Sequence, residues 1–267
     1  MVKLVVADID NTLVPRHNDM SDFTKNIIKK LNDKDILFMI ASGRPYCQVK
    51  PLIDIWGVKA NAVISANGCE LVDLDDDSVD HYFMMKPEWF KETIEFMKPF
   101  KANAMMVIDG VQNVQFMDDE VMESSKYTGV MPRVIKDISE FYITNSKIMF
   151  RVEPSEMDKC EKYVNEHPSK NYKGFKTQPY LMEFANINVS KAYALKRYCI
   201  KKNINLDEVW AFGDTTNDND MLIASGKGIC MANGSDDTKK ISDDITEKEC
   251  SEDGFAHYIN KHLMEEE

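Results

Sequence analysis

Two aspartates, Asp8 and Asp10, stand with one residue between them where an apolar run ends, in the segment VVADIDNTLV. Side chains of a strand alternate faces, so in a continuing strand the two carboxylates would lean the same way and repel each other. A second acidic set, Asp214 and Asp218, follows a later apolar run in GDTTNDND, where Asn217 adds an amide oxygen. Ligands of an open α/β sheet collect beyond the carboxyl ends of its strands, so both segments are expected at one crevice. Four acids stay ionised there only with a cation between them, and an oxygen-only donor set suits Mg²⁺ in preference to zinc. Taken singly, DxD also describes a polar strand-end loop; joined by GDxxND behind another strand, it is much harder to dismiss.

Ser42 and Gly43 follow the second apolar run, in ASGRP, where a hydroxyl and turn amides can face an anion. Alone, Ser42 reads first as the cap of the next helix. Lys191, in NVSKAYALK, opens a helix. A solvated lysine is the plainer alternative, but a crevice holding several carboxylates and a phosphate needs positive charge besides one metal.

The elements that must position these residues follow from hydrophobic spacing. Residues 2–8 and 36–41 are short, nearly continuous apolar runs, the pattern of strands buried on both faces of a parallel sheet. Between them Ser21 suits an N-cap, and Phe23, Ile27, Ile28 and Leu31 fall at helical spacing, giving a βαβ unit. A further helix runs to Trp56 and Gly57, which Pro51 is expected to kink or shorten. NAVISANG reads as a third strand ending in a turn.

From about residue 83 to 185 the pattern changes. A helix (Pro87 to Lys98) is followed by the alternating strands NAMMVID and VQNVQFM, then SKIMFRVEP, a helix from Pro154 to about Glu166, and strand-like segments from Gly174 to Phe184. Such a mixture describes an α+β domain with its own core. The βα rhythm then returns, with a helix bearing Ala192, Leu195 and Tyr198, the strand EVWAFGD, a helix from Asn219, and GIC. The expected organisation is an α/β core of residues 1–82 and 186–267, interrupted by an α+β domain over 83–185.

Composition narrows the classes. A chain of 267 residues, 43% hydrophobic, can bury a sizeable core. Its 45 acidic residues against 33 basic ones give a formal charge of −12, the wrong sign for nucleic acid or an anionic membrane. The six cysteines form no CxxC pair and read as reduced thiols. No segment is apolar enough to span a bilayer and the early Asp8 does not suit a signal peptide, so a cytoplasmic location is expected. Asn188 and Asn233 then carry glycosylation triplets only by chance. DLDDDSVD (73–80) fails as a calcium loop, with Ser78 at the glycine position and Met84 at the twelfth, and reads as a solvated acidic turn. The 17 methionines read as flexible core filling, and the terminal Glu265 to Glu267 as a solvated tail.

The order DxDxT, SGR, a lone lysine and GDxxNDxxM resembles the four motifs of the haloacid dehalogenase superfamily of phosphatases. ASGRP, NG after the third strand, SKAYAL and AFGDTTNDNDML are similar to its Cof-type branch, which acts on phosphosugars and phosphorylated cofactors. The resemblance spans nearly all of both core halves; the insertion shares the position and α+β character of that branch's type C2 cap, with a far weaker sequence match. It implies a Rossmann-like parallel-sheet core with an inserted cap domain that sets specificity. The implied activity is Mg²⁺-dependent hydrolysis of small phosphomonoesters, such as sugar phosphates, phosphorylated cofactors or nucleotides, through an aspartyl-phosphate.

By this resemblance Asp8 is the nucleophile, and Asp10 the acid that protonates the departing alkoxide and then the base that activates water. Proximity to Asp8 is expected to raise the proton affinity of Asp10, while Mg²⁺ and Lys191 keep Asp8 ionised. Mg²⁺ would take Asp8, the backbone carbonyl of Asp10, and Asp214, with Asn217 and Asp218 close by. Thr12, Ser42, Gly43 and Lys191 would hold the phosphoryl oxygens. Arg44, Asn67 and Asn217 would stand near the substrate, although Arg44 could simply pair with a carboxylate and Asn67–Gly68 could simply be a hairpin turn. Asn11 and Thr215 stand where the family usually has glycine, and Asn tolerates the left-handed conformation well enough for the first loop to survive.

Other readings share some of these residues. A phosphomutase would use the same chemistry with a retained bisphosphate. A DxD metal-dependent glycosyltransferase would leave Lys191 and GDTTND unexplained. A non-catalytic sensor of phosphorylated metabolites usually lacks the nucleophile or acid, and both are present. The partner expected throughout is a small phosphorylated metabolite; oligomeric state is not legible in the residues.

Overall fold

The first apolar run becomes β1 (Leu4–Ala7), all four residues buried. A computed structural model of the chain describes residues 1–15, 19–128 and 131–264; the terminal tail expected at Glu265 to Glu267 lies outside the described residues. After β1 comes α1 (Asp22–Asp33), whose cap Ser21 accepts from the Thr24 amide at 3.0 Å and whose Ile27, Ile28 and Leu31 turn inward. Next are β2 (Leu37–Ala41), α2 (Tyr46–Trp56) and β3 (Ala62–Ser65). Pro51 does not shorten the helix: α2 continues to Trp56, with Val49, Ile53 and Trp56 buried. That packing outweighs the one backbone bond a proline forgoes.

The acidic segment expected as a solvated turn contains one, residues 74–77 with Asp75 to Asp77 exposed, at the tip of a hairpin of β4 (Glu70–Asp73) and β5 (Ser78–His81). Asp73 is buried there, with Lys201 Nζ 2.7 Å and Lys202 Nζ 3.1 Å from its Oδ2. Paired lysines are what allow an aspartate to be buried in an edge hairpin.

Phe83 to Val189 form a compact unit of their own. In chain order it contains α3 (Pro87–Met97), β6 (Asn103–Ile108), β7 (Val111–Val114), α4 (Asp119–Thr128), β8 (Arg133–Val134), β9 (Lys147–Arg151), α5 (Met157–Glu166), β10 (Tyr172–Gln178) and β11 (Leu181–Asn186). Its strands form one sheet in the order β10-β11-β9-β6-β7-β8. Phe90, Ile94 and Met97 of α3 and Met157, Cys160 and Val164 of α5 share a core with Ile148, Phe150, Met182 and Phe184 of the sheet. The chain leaves this unit after Val189 rather than after residue 185. Ile187 and Val189 are still tied into it, through the carbonyls of Asn171 and Asn186 at 3.1 Å each.

The other unit, Met1–Tyr82 together with Ser190 onward, resumes with α6 (Lys191–Lys202), β12 (Val209–Gly213), α7 (Asn219–Ala224), β13 (Lys227–Cys230), α8 (Asp236–Ile241), β14 (Asp244–Ile245) and α9 (Gly254–Ile259). Its sheet runs β14-β13-β12-β1-β2-β3-β4-β5, parallel from β14 to β3 and antiparallel beyond. Both faces are covered. Leu4, Val6, Met39 and Ala41 pack with Leu195, Tyr198 and Met221 on one side, and Val5, Ala7, Phe38 and Ile40 with Ile27, Ile28 and Phe255 on the other. Chain order reverses at β1: β2 lies on one flank and β12, from the far end of the sequence, on the other. Ala7 pairs with both Ile40 and Phe212, so the carboxyl ends of the three strands are level.

Candidate active site

Asp8 leaves β1 at that reversal and Asp214 leaves β12 beside it, the Asp8 amide donating to Phe212 O at 3.1 Å. The strand does not carry on through Asp10. Residues 9–14 turn back, with the amides of Leu13 and Val14 both bonded to Ile9 O at 3.0 Å. Asn11 takes φ +62°, the left-handed conformation foreseen for it. The turn breaks the pleat that would have aligned the two carboxylates.

Lys191 Nζ lies 2.7 Å from Asp8 Oδ1 and 2.6 Å from Asp218 Oδ1, fully buried between them. Asp218 Oδ2 in turn accepts from the amides of Asp214 and Thr215, at 3.1 and 3.3 Å. Thr215 is extended (φ −142°) and forms a capping box with Asp218, so the glycine usual in its place is not required by the backbone. Gly213 is required: a Cβ there would lie 2.5 Å from Asp218 Cβ. Thr12, 1% exposed, reaches Asp214 Oδ1 at 3.5 Å through its hydroxyl.

Oxygens of Asp8, Asp214 and Asp218 all lie within 4.8 Å of one another. One ammonium among three buried carboxylates leaves negative charge uncompensated. Burial, opposed by Lys191 and reinforced by Asp218 and Asp214, pushes Asp8 up to about 8. Burial and Asp218 likewise push Asp214 to about 7. Burial works against the charge of Lys191, but Asp218 and Asp8 outweigh it and raise its pKa. An all-oxygen, charge-deficient cluster of this kind fits a hard divalent cation such as Mg²⁺.

Asp10 is drawn elsewhere. Arg44 Nε donates to its Oδ2 at 2.9 Å and Nη2 to its Oδ1 at 2.5 Å. Burial and its carboxylate neighbours push the Asp8 carboxyl up, with Lys191 acting against them as expected. The pairing considered for Arg44 is realised.

Ser42, 1% exposed, accepts from the Arg44 amide at 3.1 Å, and the residue at the cap of α2 is Pro45. Its backbone is laced to the turn after β3: Asn67 N donates to Ser42 O at 3.0 Å and Ala66 N to Arg44 O at 2.8 Å. Ala66 and Asn67, at φ +47° and +57°, link antiparallel β3 and β4, so the hairpin reading of this segment holds. Asn67 Oδ1 nevertheless faces the site, lying 3.1 Å from where a Cβ on Gly43 would stand and accepting from Asn217 Nδ2 at 3.1 Å. Asn217 is thus exposed beside Asn67.

Sequence reasoning passed over how α6 is seated. Gly68, at φ +99°, lies so close that an added Cβ would come 2.1 Å from Ser190 O. Ser190 caps α6, accepting from Tyr193 N at 3.1 Å, and its hydroxyl donates to Asp220 Oδ2. These contacts fix the residue that precedes Lys191. The only available signal was the N-G pair, which reads as a turn and says nothing of what packs on it.

An α/β sheet with an acidic cluster and a buried lysine at its point of order reversal is the architecture of an enzyme site. The chain belongs to the haloacid dehalogenase-like hydrolases, whose family model matches residues 5–259. It is similar to phosphatase YwpJ of Bacillus subtilis, 25% identical over 98% of this chain and 100% of that one. It is also similar to the 5-amino-6-(5-phospho-D-ribitylamino)uracil phosphatase YcsE of the same organism, 25% identical over 98% and 96% of the two chains. A solved haloacid dehalogenase-like hydrolase from Bacteroides thetaiotaomicron shares the fold, with TM-score 0.85 over 98% of this chain and 99% of that one at 23% identity. Among the described residues no helix is long and apolar enough to cross a membrane.

Proposed function

We propose that the protein is a Mg²⁺-dependent phosphatase of small phosphomonoesters that works through an aspartyl-phosphate on Asp8. The observation that carries this reading is Lys191 Nζ, buried 2.7 Å from Asp8 and 2.6 Å from Asp218 at the carboxyl ends of β1 and β12. Lys191 favours the ionised, nucleophilic form of Asp8, opposing the burial that raises its pKa. A glycosyltransferase that merely clasped a metal–diphosphate would have no use for that lysine.

In the first step an Asp8 oxygen forms a bond to phosphorus as the ester P–O bond breaks, and Asp10 gives its proton to the departing alkoxide. In the second, Asp10 removes a proton from water, whose oxygen attacks phosphorus and releases Asp8 and inorganic phosphate. As held by Arg44, Asp10 is set for the second step; transfer of Arg44 to an anionic substrate oxygen would free it for the first. Thr12, Ser42 and Gly43 supply hydroxyl and amide donors to the phosphoryl oxygens, and Asn67, Asn217 and Arg44 lie at the substrate's entry. Asp8 and Asp214 would hold Mg²⁺, with Asp218 bracing Lys191 and the loop amides. When bound, the ion neutralises charge on the carboxylates and the phosphoryl group.

The inserted unit is assigned the role of cap and substrate selector. Sugar phosphates and phosphorylated cofactors or nucleotides are the proposed substrate class, in keeping with the ribityl phosphate named for one relative. The six cysteines are free, five of them buried, which suits the reducing cytoplasm. A phosphomonoester panel with and without Mg²⁺ tests the reading: turnover should require Mg²⁺ and vanish in Asp8→Asn. Turnover that survives either change contradicts it.

A further inference from the structure

We propose that Asn233 is a positioning residue, and that the turn it belongs to, Cys230 to Ser235, is a bracket that sets the Asp8–Thr12 turn against the Asp214 loop. The inference rests on the phosphatase reading of that site. Asn233 appeared in the sequence only as a chance glycosylation triplet.

The turn is fastened first to the Asp214 side. Met231 N donates to Gly213 O at 3.0 Å, and Ser235 N to Asp214 O at 2.8 Å. Gly234 between them has no room for a side chain, since a Cβ would come 2.4 Å from Cys230 Sγ and 3.0 Å from Asp214 O. The turn therefore sits directly on the backbone of the residue proposed to hold the cation.

From that seat the Asn233 side chain reaches the other loop. Its Nδ2 donates to Asn11 O at 2.9 Å, while its Oδ1 accepts from Cys250 N at 2.7 Å. Asn11 is the residue between Asp10 and Thr12, and the one in that turn at positive φ, +62°. Fixing its carbonyl fixes the peptide plane that leads into Thr12, whose hydroxyl points at Asp214. A side-chain amide offers a donor and an acceptor at once without charge. An aspartate would keep the acceptor but set an anionic oxygen against Asn11 O, next to a cluster already short of positive charge. Three segments far apart in sequence are thus joined by one neutral group.

The test uses the full chain with Asn233→Asp and Asn233→Ala, measured by Mg²⁺ titration calorimetry, p-nitrophenyl phosphate hydrolysis and thermal melting. Asn233→Asp retains the bond from Cys250 N and is the variant expected to fold if Asn233→Ala does not. Both should weaken Mg²⁺ binding and lower kcat by about 10–100-fold, the usual cost of losing a group that orients metal ligands. KM should change by less than about threefold, because the loss falls on the transition state. A fall in melting temperature alone, with wild-type Mg²⁺ affinity and kcat, overturns the proposal, as does absence of Mg²⁺ binding in all three proteins. Lack of hydrolysis by the wild type would count against the phosphatase reading, while the calorimetric comparison still decides the bracket.

Discussion

The guanidinium of Arg44 grips Asp10 through both carboxylate oxygens, Nε to Oδ2 at 2.9 Å and Nη2 to Oδ1 at 2.5 Å. Two residues earlier, Asp8 belongs to Lys191. Two aspartates that differ by one intervening residue are thereby given different partners, as the proposed mechanism requires of a nucleophile and a proton carrier in one short turn.

Arg44→Ala should release Asp10 and lower kcat/KM by about tenfold, and Arg44→Lys should recover only part of the loss, because an ammonium cannot match both oxygens of the fork. Steady-state kinetics on the best substrate of the panel check this. Full recovery by lysine would show that charge alone matters.

Lys191→Met leaves Asp8 and Asp218 buried without their cation. Removing one partner of a buried pair costs about 3–5 kcal/mol, so the metal-free variant should melt well below wild type and be inactive. Mg²⁺ should restore part of its stability, and calorimetric melting with and without the ion measures both effects.

The raised carboxyls set a pH dependence. Folded Asp8 and Asp214, at about 8 and about 7, bind protons where the unfolded chain has already lost them. Stability of the metal-free protein is therefore highest in acid on this account and falls as pH rises toward 8. Mg²⁺ binding should flatten the fall and release protons, seen as a buffer-dependent heat in titration calorimetry. Asp8→Asn should show a shallower fall than wild type.

Gly68→Ala tests the seat of α6. The added methyl meets Ser190 O and the position is at φ +99°, so the variant should lose about 1–3 kcal/mol and disturb Lys191. Denaturant melts give the stability, and a kcat reduced at temperatures where the protein is folded gives the functional part.

Sequence patterns carried the placement of the site further than its wiring. Apolar runs located the ends of β1, β2 and β12, so Asp8, Ser42 and Asp214 could be put at one edge of one sheet, and Lys191 at a helix start. They could not say which carboxylate each cation would choose, because Arg44 with Asp10 and Lys191 with Asp8 are settled by packing between distant segments. Asp73 illustrates the limit from the other side: its acidic neighbours suggested a solvated turn, and only the fold brings Lys201 and Lys202 over it. Asn233 left no chemical signal at all, since a single asparagine acquires meaning only when Asn11 O and Cys250 N are brought within reach.

The proposed covalent step is open to direct observation. Protein mixed with substrate and Mg²⁺, quenched in acid during turnover and mapped by peptide mass spectrometry, should carry one phosphoryl group on Asp8. A phosphoryl group on another residue, or steady turnover by Asp8→Asn with none formed, would contradict the mechanism.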